Sequence, residues 1–182
     1  TATPIPRTLA LTVYGDLDVS VMRGLPPGRK PIETLCFTNE KRPEVYAGML
    51  REVKKGHQAY IVCPLIEESE TVDVNSASEV YEELSNGYLH GVTCGLLHGR
   101  MKESEKEKVM QGFINGSIDV LVATTVIEVG VNVPNASLMV IEGADRFGLA
   151  QMHQLRGRVG RGNNQSYCVL LTDSDKPETL AR

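Results

Sequence analysis

Short apolar runs, separated by helix-like segments, are the feature that most restricts how this chain can fold. The clearest run covers residues 59–63, where five consecutive residues are apolar. A strand that is apolar without alternation is typical of a parallel sheet covered on both faces. Similar runs are predicted as strands at 34–38, 92–97, 119–124, 138–141 and 166–171. The alternation of strands and helices therefore predicts an α/β domain with three αβα layers and a mostly parallel sheet.

Helix boundaries are predicted from proline, glycine and capping patterns. Pro43 suits the first turn of a helix that Gly56 ends. Residues 67–75 are acidic and are interpreted as a solvated excursion. Two capping boxes, in which a serine precedes a glutamate by three positions, are predicted to open the next helices: Ser76 with Glu79, and Ser104 with Glu107.

Charge and cysteine content limit the classes of function. The 182 residues carry a net charge of −4, so any nucleic-acid surface must be local. No apolar run approaches the roughly 18 residues of a membrane helix, and we expect no membrane contact. None of the four cysteines forms a C-x-x-C pair, which favours buried free thiols in a reducing compartment. No His or Cys spacing indicates a metal site.

Polar residues follow four of the predicted strands. In parallel sheets the carboxyl ends of the strands share one edge, and ligands gather there. The sequence therefore predicts a functional rim made of Pro64, residues 98–100, residues 124–125 and residues 142–145.

Residues 151–162 form a locally basic, glycine-rich stretch. From residue 146 to residue 172 there are four arginines and no acid. Gln154, Arg158 and Arg161 are spaced i, i+4, i+7, which places them on one face of a helix and the turn after it. Guanidinium forks match phosphate oxygens, so we expect both arginines to project from the strand-end rim toward a polyphosphate. The alternative is a solvated basic helix end.

The pattern Gln154-x-x-Gly157-Arg158-x-Gly160-Arg161 resembles the last motif of superfamily 2 helicases. Over its whole length the chain is similar to the second RecA-like domain of the RecG family of ATP-dependent DNA helicases. The segments that carry the resemblance are residues 1–4, 14–21, 97–101, 123–136 and 146–162.

The resemblance implies a RecA-like, P-loop NTPase-type fold and two units. Residues 1–31 would be an interdomain segment from the end of a first motor domain, and residues 32–182 the second, helicase C-terminal domain. Site roles are implied residue by residue: Arg158 and Arg161 as arginine fingers; Gln154, Gly130 and Asn132 at the ATP; Thr124, His98 and Gly99 on the DNA backbone; Thr1, Ala2 and Thr3 in coupling between the motor domains. Many relatives carry Asp where this chain has Asn132, which puts an ion-pair role there in doubt.

The resemblance further implies the motor half of a helicase or translocase that remodels branched or forked DNA, by fork reversal and Holliday junction branch migration, in recombination and repair. ATP and Mg²⁺ would be held mainly by the first RecA-like domain, since no G-x-x-x-x-G-K-[ST] motif occurs here. The family implies a monomer in the bacterial cytoplasm. We expect the isolated chain to be inactive.

Other functions are kept as alternatives. A transcription-repair coupling translocase has a similar Phe-Gly-Leu-Ala-Gln run at residues 147–151, although residues 14–21 favour the RecG family. A non-catalytic RecA-like nucleic-acid-binding module is a second alternative. A Rossmann-like metabolic domain is disfavoured because no G-x-G-x-x-G follows the first strand.

Overall fold

The computed structural model describes residues 30–64, 70–124 and 133–173, with side chains from residue 77 onward in the second helix. Six strands and four α-helices follow one another along these ranges: β1 Glu33–Thr38, α1 Arg42–Lys54, β2 Gln58–Cys63, α2 Glu70–Asn86, β3 Cys94–Leu97, α3 Glu103–Ile114, β4 Val120–Thr124, β5 Ala136–Ile141, α4 Leu149–Arg156 and β6 Tyr167–Thr172. Two short 3₁₀ turns cover Asn39–Lys41 and Ala144–Arg146.

The strands form one sheet in the order β1-β6-β5-β2-β4-β3, and every pairing is parallel. All residues of β2, β4 and β5 are buried. Their unbroken apolar runs therefore reflect burial on both faces, as the sequence predicts.

The two faces of the sheet are covered by different helices. Tyr60 and Val62 of β2 pack in one apolar cluster with Phe113 of α3 and Leu155 of α4. Ala59 and Ile61 point the other way, into a second cluster whose helical members include Tyr46 of α1 and Leu84 of α2. Each large apolar side chain buried in this way contributes about 1.5–3 kcal/mol. The arrangement confirms the three-layer α/β fold.

Both predicted capping boxes are wrong in position. Helix α2 begins at Glu70, so Ser76 and Glu79 lie inside it and part of the acidic stretch is helical. A serine three positions before a glutamate can also lie inside a helix, because a serine in the interior reduces helix stability only slightly. Helix α3 begins at Glu103, where the Glu105 carboxylate accepts a hydrogen bond from the backbone N–H of Lys102 at 3.1 Å. That contact caps the helix two residues earlier than the sequence pattern suggests.

The predicted boundary between residues 31 and 32 stays a prediction, because residues 1–29 lie outside the described ranges. Within the described part of the chain, no helix is long and apolar enough to cross a membrane. The thiols are unpaired; Cys63 and Cys168 are buried, as expected, whereas Cys36 is exposed on the edge strand β1.

Candidate nucleotide and nucleic-acid interface

The carboxyl ends of the parallel strands meet at one edge, which brings several predicted residues together. Leu97 pairs with Ala123 and Cys63 pairs with Thr124, so His98, Thr124 and Pro64 follow one another across β3, β4 and β2. The predicted rim is therefore present in the structure, with its DNA-contact candidates on neighbouring strands.

Thr124 and His98 each place a polar atom at this edge, and neither atom forms a hydrogen bond with a described residue. Thr124 is 1% exposed, and its Oγ1 has no hydrogen-bond partner in the described ranges. The same holds for Nδ1 of His98. Burial, followed by the positive charges of Arg100 and Lys106, lowers the pKa of His98 below 6.5. His98 is therefore neutral near pH 7 and suits contact by hydrogen bonding rather than by charge.

Gly99 lies in the turn after β3 and is exposed, with open space where a side chain would stand. An exposed backbone N–H at such a turn can approach a phosphate closely.

The arginine stretch lies at the opposite edge of the sheet. The chain approaches α4 from the carboxyl end of β6, where Thr172 Oγ1 donates to Asp145 Oδ1 at 3.1 Å, and α4 ends where Arg156 Nη1 donates to Thr34 Oγ1 at 3.5 Å, near the start of β1. The segment then passes Ile32 and Pro134, which precede β1 and β5. The expectation that both arginines project from the strand-end rim is therefore wrong. Helix α4 runs antiparallel to the strands and carries the chain back to their amino ends.

Arg158 and Arg161 lie just after α4, where the chain continues from the helix into a turn. The backbone N–H of Arg158 donates to Leu155 O at 2.9 Å, and Arg161 Nε donates to Gly157 O at 3.3 Å. Val159 between them is 2% exposed and anchors the segment in the apolar cluster. Gln154 is exposed on α4, one helical turn before Arg158.

Neither Arg158 nor Arg161 forms an ion pair within residues 30–64, 70–124 and 133–173. Burial, and then the nearby charge of Arg161, lowers the pKa of Arg158, while Tyr60 acts in the opposite sense. Two guanidinium groups held close together without a carboxylate create a positive potential that suits an anion with several oxygens. The donor set therefore fits a polyphosphate.

The three glycines of this stretch have different roles. Gly160 has a φ of +73°, and a Cβ there would lie 2.7 Å from the Ile32 side chain. A Cβ on Gly162 would meet the carbonyl oxygen of Pro134 at 2.5 Å. Gly157 has a φ of −67°, and a Cβ there would come no closer than 3.4 Å to another atom. Close approach to other parts of the chain therefore occurs at Gly160 and Gly162 and not at Gly157.

The sequence interpretation missed a polar network at the carboxyl edge. Glu142 directly follows β5, is 8% exposed, and accepts hydrogen bonds from Arg42 Nε at 2.9 Å and from the Tyr46 hydroxyl. Arg42 also donates to Glu83 of α2 at 2.7 Å. Burial alone lowers the pKa of Arg42, but its bonds to Glu83 and Glu142 raise it on balance. The partners of Glu142 are about a hundred positions away, so no local pattern indicates them.

Five of the predicted site residues lie outside the described ranges: Gly130, Asn132, Thr1, Ala2 and Thr3. Their roles stay predictions.

The parallel six-stranded sheet, together with the basic segment after α4, defines the second RecA-like domain of a helicase. Residues 40–163 match the family described as helicase conserved C-terminal domain, and the chain belongs to that family. It is similar to ATP-dependent DNA helicase RecG: 54% identical to the Synechocystis protein over 182 residues, and 54% identical to the Bacillus subtilis protein over 179 residues. The RecG resemblance is confirmed, and the coupling translocase is not favoured.

A solved structure of RecG bound to a three-way DNA junction matches with a TM-score of 0.80 at 49% identity, covering 99% of this chain and 23% of that one. The match to the Synechocystis relative covers 100% of this chain and 22% of that protein. The match to the Bacillus relative covers 98% of this chain and 26% of that protein. It therefore spans about a quarter of the length of the proteins it matches.

Proposed function

We propose that this chain is the second motor half of an ATP-dependent DNA helicase that remodels branched DNA, by fork reversal and Holliday junction branch migration. Its similarity to RecG proteins, one of them solved on a three-way DNA junction, supports this proposal. In the whole protein it works with a first RecA-like domain, as a monomer in the bacterial cytoplasm.

The observation that carries the proposal is the pair of guanidinium groups after α4. Arg158 and Arg161 stand together, anchored by buried Val159, and neither is neutralised by a carboxylate in the described ranges. ATP, held with Mg²⁺ mainly by the first domain, would supply the γ-phosphoryl group that passes to water. Arg158 and Arg161 act as arginine fingers that stabilise negative charge on it, an effect of about 10³–10⁵ in rate in other nucleotide hydrolases. Gln154 on α4 orders the same interface.

DNA is bound at the other edge of the sheet. Thr124 and His98 offer polar atoms without a described partner, and Gly99 is an exposed residue with open space where a side chain would stand. Neutral hydroxyl, imidazole and N–H groups suit contacts to the phosphate backbone, which position a protein without reading sequence. Nucleotide and DNA then use opposite edges. Gly130 and Asn132 are proposed to contact the ribose of the nucleotide, and Thr1, Ala2 and Thr3 to couple the motor domains.

Replacing Arg158 by Ala in the full-length protein tests the proposal. DNA-stimulated ATP turnover is expected to fall by about 10³-fold or more, because transition-state charge loses its donor. Arg51→Ala, at an exposed position of α1 on the opposite layer, is the matched control and retains turnover.

Unchanged turnover in Arg158→Ala would instead favour the non-catalytic RecA-like module. A thermal unfolding curve of each variant separates a loss of chemistry from a loss of folding. The isolated 182-residue chain is proposed to hydrolyse no ATP, because half of the site lies on the first domain; measurable DNA-stimulated turnover by that chain contradicts this.

A further inference from the structure

Residues 157–166, which we call the arginine loop, connect the end of α4 to the start of β6 and carry Arg158 and Arg161. Gly160, between the two arginines, is buried and has a φ of +73°. It packs so closely on Ile32 that an added Cβ would lie 2.7 Å from that side chain. Ile32 directly precedes β1, so the backbone between the arginines packs on the residue through which the chain enters the sheet.

A side-chain hydrogen bond holds the loop to the same place from its other end. Gln165 Nε2 donates to the backbone carbonyl of Pro31 at 2.9 Å, and also to Ser166 O at 3.3 Å. The backbone N–H of Glu33 donates to Ser166 O at 3.0 Å. Two consecutive residues of the loop are thus bonded to the two residues that flank Ile32.

Pro31 is the last residue of the interdomain segment that the resemblance to helicases implies, residues 1–31. It is exposed and has no N–H, so its carbonyl takes part in this junction as an acceptor only, and the half-buried Gln165 amide supplies the donor. An amide is neutral. It can therefore hold the loop without adding a carboxylate that would compete with phosphate for the guanidinium groups.

We propose that Gln165 is a positioning residue, whose hydrogen bond to Pro31 fixes the arginine loop to the end of the interdomain segment. The approach of the two motor domains and the placement of Arg158 and Arg161 at the nucleotide are then linked. This inference rests on the proposed role of the two arginines. A group that acts in the transition state loses rate when it is displaced by as little as about 1 Å, so a contact away from the nucleotide can control turnover.

Gln165→Met in the full-length protein tests the inference, because methionine keeps the approximate length of the side chain and removes the donor. We expect kcat for DNA-stimulated ATP turnover to fall about tenfold, less than in Arg158→Ala, since the packing beneath the loop remains. The KM for ATP should change by less than about twofold, because the first domain holds the nucleotide. Ser117→Ala is the matched control. Its exposed hydroxyl also donates to a backbone carbonyl, Gly112 O at 3.0 Å, in the turn before β4, and the variant should retain kcat.

Circular dichroism gives the folded fraction of each variant, and kcat is expressed per folded molecule. Wild-type kcat in Gln165→Met, while Arg158→Ala is inactive, overturns this inference and leaves the proposed function standing. A higher KM without a lower kcat, a loss of turnover that only follows a loss of folded protein, or an equal loss in Ser117→Ala also overturns it. An active Arg158→Ala protein overturns both the inference and the proposed function.

Discussion

Arg42 and Glu142, a hundred positions apart, are joined by a hydrogen bond of 2.9 Å between Nε and a carboxylate oxygen. Arg42 stands in the first turn of α1, and Glu142 directly follows β5. The Tyr46 hydroxyl donates to the same carboxylate oxygen, and the guanidinium carbon of Arg42 lies 5.1 Å from the centroid of the Tyr46 ring. These contacts fasten α1 to the carboxyl end of a central strand.

Removing the carboxylate with Glu142→Ala should therefore destabilise the domain. The change leaves Arg42 and the Tyr46 hydroxyl without their shared acceptor, at a cost of about 2 kcal/mol, reduced from fully buried pairs because both side chains keep some solvent contact. Urea unfolding of the chain measures the effect. Glu83→Ala removes the other, half-exposed partner of Arg42 and should cost less than about 1 kcal/mol. Equal losses of unfolding free energy in Glu142→Ala and Glu83→Ala would contradict the expectation that Glu142 contributes more.

The glycines of residues 151–162 should differ in how well they tolerate replacement by alanine. Gly162→Ala would force a methyl group to within 2.5 Å of the Pro134 carbonyl oxygen, a backbone atom that cannot rotate away. We expect a loss of about 1–3 kcal/mol in unfolding free energy, as in other overpacked sites. Gly157 has a helical φ, and a Cβ there would have its nearest contact at 3.4 Å. Gly157→Ala should therefore change the unfolding free energy by less than about 0.5 kcal/mol. A larger loss at Gly157 than at Gly162 contradicts the geometry.

Thr124→Val tests the proposed DNA edge while leaving the fold intact. The valine keeps the side-chain shape and removes an Oγ1 that has no partner in the described part of the chain, so stability should hold or rise slightly. Loss of one backbone contact should weaken binding of the full-length protein to a forked DNA by about fivefold, a value that fluorescence anisotropy resolves. Ser137→Ala removes an equally buried, unpartnered hydroxyl near the amino end of β5. It should leave DNA affinity unchanged, and parallel losses in both variants exclude a local contact at Thr124.

Acidification should weaken the fold through His98. Its pKa is lower in the folded chain than the ordinary 6.5, first because of burial and then because of Arg100 and Lys106. The unfolded chain therefore binds the proton more readily, and the stability that neutral His98 contributes is complete above pH 6.5 and is lost as pH falls through the folded pKa. In His98→Gln this part of the pH dependence should vanish from unfolding curves collected between pH 7.5 and 5. An unchanged profile in that variant shows that another group is responsible.

Much of the fold can be predicted from short sequence patterns. The run at residues 59–63 predicts a strand buried on both faces, and β2 is buried along its whole length because helices cover both faces of the parallel sheet. Parallel pairing then placed His98 and Thr124 on one edge without any knowledge of distances. Helix starts were less accessible, since the Ser-x-x-Glu pattern at Ser76 occurs inside α2 as readily as at a cap.

The amino-acid sequence by itself determined the succession of strands and helices, the shared edge of the strand ends, and the short spacing of two arginines whose guanidinium groups suit phosphate. Those properties depend on side-chain type and short spacing, which a chain carries wherever it folds. Tertiary structure alone decided that Arg158 and Arg161 stand at the amino edge, that Gly162 meets Pro134, and that Arg42 finds Glu142. Each depends on the direction in which a helix crosses the sheet, and packing between distant segments sets that direction.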